Sequence, residues 1–567
     1  MKPALTTQKL RGGYYTPEPL AEFLSDWAIQ SPDAKILEPS CGDGVFLESA
    51  ERVLSKHGAK KLSIAHQITG IEYDAGEAKK ARLRLKQLDI ANPNVEATDF
   101  FSFCKEHVSK GQLFDAIIGN PPFIRFQNFL EEHRRVAFEL MKTAGLNPNR
   151  LTNSWVSFLV ASTLLLHEHG RLAMVVPAEL FQVNYAAETR QFLSEFFKRI
   201  TLITFKTLLF NNIQQEVVLF LGERNGIKQE GIRTIELDTA EDLGLLKVDT
   251  FSFGDLKPID HTKEKWTQYF LEKEEILFLR SLKANPMLTL SGEVMDVDVG
   301  VVTGENEFFV LNGETVSNNS LDSYVQPIVS RSAHLEGTVF NESDWAKSNG
   351  KAYRTFLLTP PDKPLKELPT ALRDFILEGE TRGANKGYKC RIRKRWYIVP
   401  SVWRPDAFML RQVNGYPKMV MNEKGATCTD TIHRVRFQDS VDGAAVTSAF
   451  MNSLTLAFAE VTGRSYGGGV LTFEPSEAEN LPLPLIGSDN LSLKYLDGLL
   501  RSKGIDAVLN VTDKTLLAQG LGLSADEVKM LREIWQKLRN RRLNRRRKTS
   551  VVSKQQSPVI KGSSFES

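Results

Sequence analysis

The stretch Ile36-Leu37-Glu38-Pro39-Ser40-Cys41-Gly42-Asp43-Gly44-Val45-Phe46 decides the fold. A short apolar run ends in an acid, turns at glycines and re-enters an apolar segment. Gly42 and Gly44 let the backbone turn sharply and approach a ligand where a side chain would clash, at the entry to a helix whose amides can face a carboxylate or phosphate. The turn is not GxGxxG, so alone it suits either a dinucleotide loop or a plain strand-to-helix turn. Working outward, residues 35–38, 68–73, 95–97, 115–118, 172–176, 202–205 and 217–221 read as strands. Helical spacing fills several gaps. Leu20, Phe23, Leu24 and Trp27 form one apolar stripe, with Thr16 placed to cap and Pro17 at the first helical position, while Trp155, Phe158, Leu159 and Leu166 mark another helix. Seven apolar strands interleaved with helices predict an α/β fold with a seven-stranded, largely parallel, doubly wound sheet, and ligands at the carboxyl ends of its strands.

Those strand ends carry a consistent chemistry. The second closes Gly70-Ile71-Glu72-Tyr73-Asp74, placing Glu72 where an acid accepts both hydroxyls of a ribose. The third ends at Asp99-Phe100, where a carboxylate can take the amino group of an adenine and a ring can lie against it. Acids at consecutive strand ends point to a bound nucleoside. The fourth strand, Phe114-Asp115-Ala116-Ile117-Ile118-Gly119, runs directly into Asn120-Pro121-Pro122-Phe123. The prolines fix the backbone and remove its donors, leaving carbonyls beside the Asn amide. The nitrogen of an aromatic amine is a poor nucleophile because its lone pair is delocalised into the ring. Hydrogen bonds from its protons to the Asn120 side-chain oxygen and the Pro121 carbonyl would favour a tetrahedral nitrogen, ready to attack a methyl sulfonium. Phe123 would stack on the base.

Together these segments resemble the S-adenosylmethionine-dependent N6-adenine DNA methyltransferases of bacterial type II restriction-modification systems, in their gamma order of motifs. The resemblance rests on Gly13-Tyr14-Tyr15-Thr16-Pro17, Leu37 through Gly44, Gly70-Ile71-Glu72, Thr98-Asp99-Phe100 and Asn120 through Phe123, and is dense over residues 11–225. It implies that Thr16 and Glu38 face the methionine part of S-adenosylmethionine, with Ser40, Cys41, Gly42 and Gly44 beside it. It further implies that Glu72 holds the ribose, that Asp99 and Phe100 hold the adenine, and that Phe210 covers the other face of a flipped base. The family usually has Tyr where this chain has Phe123; stacking survives the change and any hydroxyl contact is lost. No metal is implied. The segments Gly300 through Phe309 and Tyr466 through Val470 look like parts of the recognition domains of such enzymes.

The resemblance implies a DNA partner, and the charge distribution agrees. The chain of 567 residues has 72 Lys+Arg against 69 Asp+Glu, so the balance of +3 is bland, but the cations cluster. Lys386, Lys389, Arg391, Arg393, Lys394 and Arg395 fall in a stretch without acids, and a second run, Lys537 through Lys548, lies near the end of the sequence. Such clustering is the footprint of a polyanion binder. The six cations of the first cluster are the expected phosphate contacts on duplex DNA, with core packing the more natural role for Trp396, Tyr397 and Trp403. The expected organisation is a catalytic domain over residues 1–240, a mixed α+β target-recognition domain over 241–548 ending in a basic helix on Val528, Leu531, Ile534, Trp535 and Leu538, and a disordered tail over 549–567.

Other readings compete. Cytosine-C5 methylation needs a Cys nucleophile, normally in a Pro-Cys pair that this chain lacks. Cytosine-N4 methylation shares the pocket physics, but its enzymes tend to carry Ser where this chain has Asn120. Methylation of an RNA guanine amine or a protein glutamine amide also uses Asn-Pro-Pro-aromatic, typically in small enzymes with no need of a long basic second domain. A vestigial DNA-binding module would not keep every cofactor position competent. The apolar runs fall far short of the roughly 20 residues that cross a bilayer, and the first residues lack a secretory pattern, so a cytoplasmic location is expected. Cys41, Cys104, Cys390 and Cys428 are too scattered for a zinc site or disulfide framework and are expected as free thiols. A restriction endonuclease encoded separately is an expected partner.

Overall fold

Strand-forming runs of the N-terminal half assemble into one sheet: β1 (Ile36–Glu38), β2 (Ile68–Glu72), β3 (Asn94–Ala97), β4 (Phe114–Gly119), β5 (Leu166–Pro177), β6 (Arg199–Phe205), β7 (Val217–Glu223) and β8 (Gly231–Leu237). The computed structural model describes residues 16–207, 216–225, 229–246, 256–466 and 468–552. The sheet order is β3-β2-β1-β4-β5-β7-β6-β8. Neighbours run parallel except that β7 is inserted antiparallel between β5 and β6. Each expected strand is present. The eighth, β8, escapes sequence reading because Gly-Ile-Arg-Thr-Ile-Glu-Leu is not a continuous apolar run: it pairs with β6 at the sheet's end and is half-buried over its second half.

Helix α1 (Glu18–Ala28) buries Leu20, Phe23, Leu24 and Trp27, as their spacing requires. Thr16, however, does not cap it. The helix starts one residue later than expected, with Pro17 in the cap position and its carbonyl accepting from the Leu20 and Ala21 amides. Helix α2 (Val45–Lys56) follows the glycine turn, α3 (Lys61–Gln67) leads into β2, α4 (Ala75–Lys86) follows β2, and α5 (Phe100–Ser109) follows β3. Helices α6 (Glu131–Thr143) and α7 (Ser154–Leu164) separate β4 from β5. Residues Ser154 through Thr163 of α7 are all buried. Leu166, expected on that helix, instead begins β5, since the helix ends at Leu164. Leu24, Ile36, Leu47, Ile118, Val175 and Leu219 belong to one apolar core, and each such fully buried side chain stabilises by about 1.5–3 kcal/mol.

Two compact units divide between Lys273 and Glu274, with the described residues from Asn544 onward counted to the first. The division falls later than residue 240 because the segment after β8 folds back onto it. Ile232 bridges Lys257, the Thr234 hydroxyl donates to the Tyr269 carbonyl at 2.7 Å, and Trp266 is buried. The second unit is mixed α+β. Met295–Val299, Ile432–Phe437, Ala407–Leu410, Met419–Asn422 and Val339–Phe340 form a five-stranded sheet, and smaller sheets surround a second core around Phe308, Phe309, Leu357 and Phe375. Helix α8 (Ala187–Phe196) belongs to the first unit, and α9 (Ala525–Val552) comes last.

Helix α9 buries Leu531, Ile534, Trp535 and Leu538. It runs through Val552, into the expected disordered tail, whose remainder lies outside the described residues. Within its basic run Arg542 is not a surface cation: it is 3% exposed, donates to the Glu460 carboxylate at 2.6 and 3.0 Å, and reaches the carbonyls of Asn414 and Gly469. Burial lifts the Glu460 carboxyl above its ordinary range although Arg542 opposes the shift. A charge left alone at such a site is costly, so Glu460→Ala should lower the unfolding free energy of the second unit by about 3–5 kcal/mol. A denaturant titration followed by tryptophan fluorescence measures this, and a loss within the surface-pair range of about 1 kcal/mol would contradict it.

Candidate functional site

The sheet order sets the acids of β3, β2 and β1 and the Asn of β4 side by side at the carboxyl edge. The Cys41 amide donates to the Ile71 carbonyl at 2.8 Å, which ties the glycine turn to β2. Glu72 receives the Gly42 amide on Oε2 at 2.9 Å and the Asp74 amide on Oε1 at 2.8 Å, so its carboxylate is oriented by backbone on both oxygens. Gly44 takes the helix N-cap at φ 90°, and a Cβ there would lie 3.0 Å from the Cα and Cβ of Ala81. Gly42 is also left-handed, but a Cβ on it would meet nothing within 4 Å. The turn therefore packs closely on its helix side and is open on the other. The Cys41 thiol is buried, which pushes its pKa up; it packs as an apolar group.

Glu38 stands out electrostatically. It is 1% exposed and, among the described residues, its Oε2 has no hydrogen-bond partner. Burial first, then repulsion from Glu72 and Asp43, holds its carboxyl well above the usual range. Such a buried carboxylate is stabilised by a cation placed beside it. Asp99 divides its oxygens. Oδ2 caps α5 through the Ser102 amide at 2.8 Å and hydroxyl at 2.9 Å, and Oδ1 lies 3.4 Å from His133 Nδ1. His133 in turn meets Tyr73 edge-on at 4.7 Å. Phe100 is 3% exposed and stacks on Phe158 with centroids 5.1 Å apart, so most of its ring is committed to the core.

Asn120 is half-buried, and its amide nitrogen donates to the Thr16 hydroxyl at 3.2 Å. Thr16, expected as a helix cap, thus reaches the tetrapeptide instead. Ser40 Oγ donates to the Asn120 carbonyl at 3.4 Å. Beyond the prolines, Ser154 grips the corner: its hydroxyl donates to the Pro122 carbonyl and accepts from the Ile124 amide at 2.9 Å, while its own amide donates to the Ile124 carbonyl at 3.0 Å. Asn153 Oδ1 accepts from the Phe126 amide at 3.2 Å, and its Nδ2 donates to the Tyr185 hydroxyl, which donates to Glu179. Sequence reasoning missed this bracket. The available signal was Asn153-Ser154, polar residues opening an otherwise apolar helix. Phe123 is half-buried, packed against the main core. Phe210 lies outside the described residues.

In the second unit the six cations separate. Lys386, Lys389, Arg391 and Lys394 are exposed and, among the described residues, carry no ion pair. Arg393 instead donates to the Val302 carbonyl at 3.0 Å and lies over the Phe309 ring, and burial lowers its pKa; Arg395 pairs with Asp362. Trp396 Nε1 donates to Glu380 at 2.7 Å, and the buried Tyr397 donates to the Lys363 carbonyl at 2.7 Å, so both aromatics are structural. The guanidiniums of Arg434 and Arg436 lie over the Trp403 ring, 4.4 and 4.5 Å from its centroid. All four cysteines are buried free thiols. Among the described residues no cluster of His, Cys, Asp and Glu could hold a metal ion, and no single helix is long and apolar enough to cross a membrane. The apolar pair Gly443–Phe450 and Ser453–Thr462 is bent by 75° and buried.

Comparison with known proteins adds a family. The family model described as N-6 DNA Methylase matches residues 2–280, and that of the C-terminal domain of type II methyltransferase M.Eco57I matches residues 263–517. The chain is similar to the type II methyltransferase M.AccI of Acinetobacter calcoaceticus, 22% identical over 545 residues that cover 90% of this chain and 94% of the relative. It is similar to M.BanIII of Aneurinibacillus aneurinilyticus, 24% identical over 486 residues that cover 75% and 80%. Among solved structures, the type IIL restriction-modification enzyme MmeI in complex with DNA shares the fold at a TM-score of 0.56, with 12% identity, over 92% of this chain and 75% of that one.

The state of Glu38 has a thermodynamic consequence. The unfolded chain loses this proton near 4.5, whereas the folded chain keeps it to higher pH. Above that value the folded state binds more protons than the unfolded, so stability falls as pH rises until the folded group also ionises. Glu38→Gln removes this dependence while Glu72, also shifted upward by burial, keeps its own in both proteins. Without added ligand, the variant should therefore melt increasingly above the parent as pH rises past the ordinary carboxylate range. A gap that stays constant with pH would contradict the buried, uncompensated carboxylate.

Proposed function

The chain belongs to the N-6 DNA methylase family, and from that premise we propose that it transfers the methyl group of S-adenosylmethionine to the N6 amino group of an adenine rotated out of a specific duplex DNA sequence. The observation that carries this reading is the Asn120 corner, in which Thr16 occupies the amide nitrogen and Ser154 fixes the backbone beyond the prolines. In this reading the nitrogen donates to Thr16 and the side-chain oxygen is given the acceptor's part toward the target base.

The strand ends fit the cofactor. Glu38 is a buried carboxylate with an orphaned oxygen, which suits the ammonium of the methionine part. Thr16 and Glu38, with Ser40, Cys41, Gly42 and Gly44 lining the open side of the turn, would hold that part. Glu72 would take the ribose hydroxyls on the lone pairs its backbone partners leave, and Asp99 with Phe100 would meet the adenine. Bound there, the cofactor supplies an electrophilic methyl group on a positively charged sulfur.

This chain's own residues prepare the nucleophile. Asn120 Oδ1 and the Pro121 carbonyl accept the amino protons of the target base and favour a pyramidal nitrogen with a localised lone pair. Proline rings lock φ at Pro121 and Pro122 and bring no N–H to compete. The Ser154 bracket restrains the torsions that follow, so the acceptors need little reorganisation when the base arrives. Phe123 would stack on the base, with Phe210 on its other face. Rotating a nucleotide out of the duplex costs a few kcal/mol, and phosphate contacts offset it. Lys386, Lys389, Arg391 and Lys394 are assigned to those contacts, whereas Arg393 and Arg395, grouped with them on sequence, brace the segment from within. Asn at position 120 favours adenine over cytosine-N4. A cytoplasmic location and a separately encoded restriction endonuclease complete the proposal.

Asn120→Ala should lower single-turnover methylation by at least about 100-fold, the cost of removing one preorganised polar partner, with DNA affinity retained. A rate within a few-fold of the parent, measured with tritiated S-adenosylmethionine, would remove Asn120 from this role. Replacing Lys389 and Lys394 together by Ala should reduce the slope of log affinity against log salt by about 2, near 0.9 per phosphate contact. An unchanged slope would take them off the phosphates.

A further inference from the structure

We infer that the face bearing Tyr388 and Ile392 is an apolar wedge that enters the stacked bases of duplex DNA between phosphate contacts made by Lys386, Lys389, Arg391 and Lys394. The inference deepens the DNA methyltransferase reading and rests on it. Tyr388 and Ile392 are 66% and 61% exposed. Tyr388 opens the short helix Tyr388–Arg391, and Ile392 continues the turn at φ −81° and ψ −7°, its amide donating to the Tyr388 carbonyl at 3.3 Å. Four residues apart on one helical turn, their side chains share a face.

A single exposed apolar side chain needs no explanation. This pair differs in its setting. The four cations around it are exposed and without ion pairs among the described residues, and no acid occurs in the sequence between Glu380 and Asp406. A surface that alternates unpaired cations with bare apolar groups complements a polymer with anionic phosphates outside and apolar stacked rings within. The segment is also held firmly from beneath. Cys390 is buried against the Thr303 carbonyl, Arg393 is pinned to Val302, and Trp396 and Tyr397 are hydrogen-bonded into the unit's core. Residues facing inward fix the backbone while those facing outward project rigidly, so inserting them orders little that is not already ordered. Apolar side chains that enter base steps partly unstack them and kink the duplex.

The test uses the full chain, a duplex carrying the sequence it methylates, and 2-aminopurine placed in turn at the other positions of that duplex. Tyr388→Ser with Ile392→Ser should weaken binding about 10-fold or more, in line with the loss of a base-stacking contact, with the salt slope unchanged because every cation remains. One 2-aminopurine position away from the target base should brighten with the parent and stay dark with the serine pair. Tyr388→Phe with Ile392→Leu should restore both. Equal affinity of parent and serine pair overturns the wedge, as does a weakened serine pair with a flattened salt slope, or a conservative pair as weak as the serine pair. A parent chain that binds no duplex at any salt concentration would instead take down the DNA methyltransferase reading itself.

Discussion

The corner Asn120-Pro121-Pro122-Phe123 is held from opposite sides, by Thr16 on the Asn120 amide and by Ser154 on the backbone beyond the prolines. Everything the site is proposed to do depends on that restraint. Two weak acceptors can reshape an aromatic amine only if they are already in place, because in a mobile loop the cost of ordering them would cancel the gain. Proline removes one torsion at each of two residues, and the Ser154 bridge restrains those that follow. Behind Ser154 stand Asn153, Tyr185 and Glu179, a chain of polar partners that carries the restraint into the first unit.

The sheet supplies the rest of the arrangement. Its order places β1 between β2 and β4, so the glycine turn lies next to the Glu72 strand on one side and the Asn120 strand on the other. The same edge gathers Glu38, Asp43 and Glu72, and burial, with repulsion from Glu72 and Asp43 added to it, raises the Glu38 carboxyl. A site so built is less stable empty than a neutral one would be, and a cation bound there relieves it. On the proposed reading, stability is given up where the cofactor's ammonium would be received, a common trade at functional sites.

Much of this is legible in the sequence, because strand ends and strained turns demand particular residues. Acids after short apolar runs marked Glu72 and Asp99, and Asn-Pro-Pro-Phe marked, by its own stereochemistry, the corner proposed to act on the base. What escaped depends on tertiary partners. Thr16 looks like a helix cap by position, yet its hydroxyl serves Asn120 from 104 positions away in the chain. Arg393 and Arg395 share a run with surface cations, but only the fold shows that a carbonyl and a carboxylate hold them. Arg542, in the most basic stretch of all, is buried against Glu460. Charge in sequence counts cations; burial decides which of them can meet a phosphate.

The measurement that bears most directly on the central claim is a genome-wide map of modified bases in a host without adenine methylation that expresses this chain. The account predicts N6-methyladenine at one recurring sequence and no change at cytosine. N4-methylcytosine at the mapped sites, or unmodified DNA accompanied by a methylated peptide or transfer RNA, would contradict it.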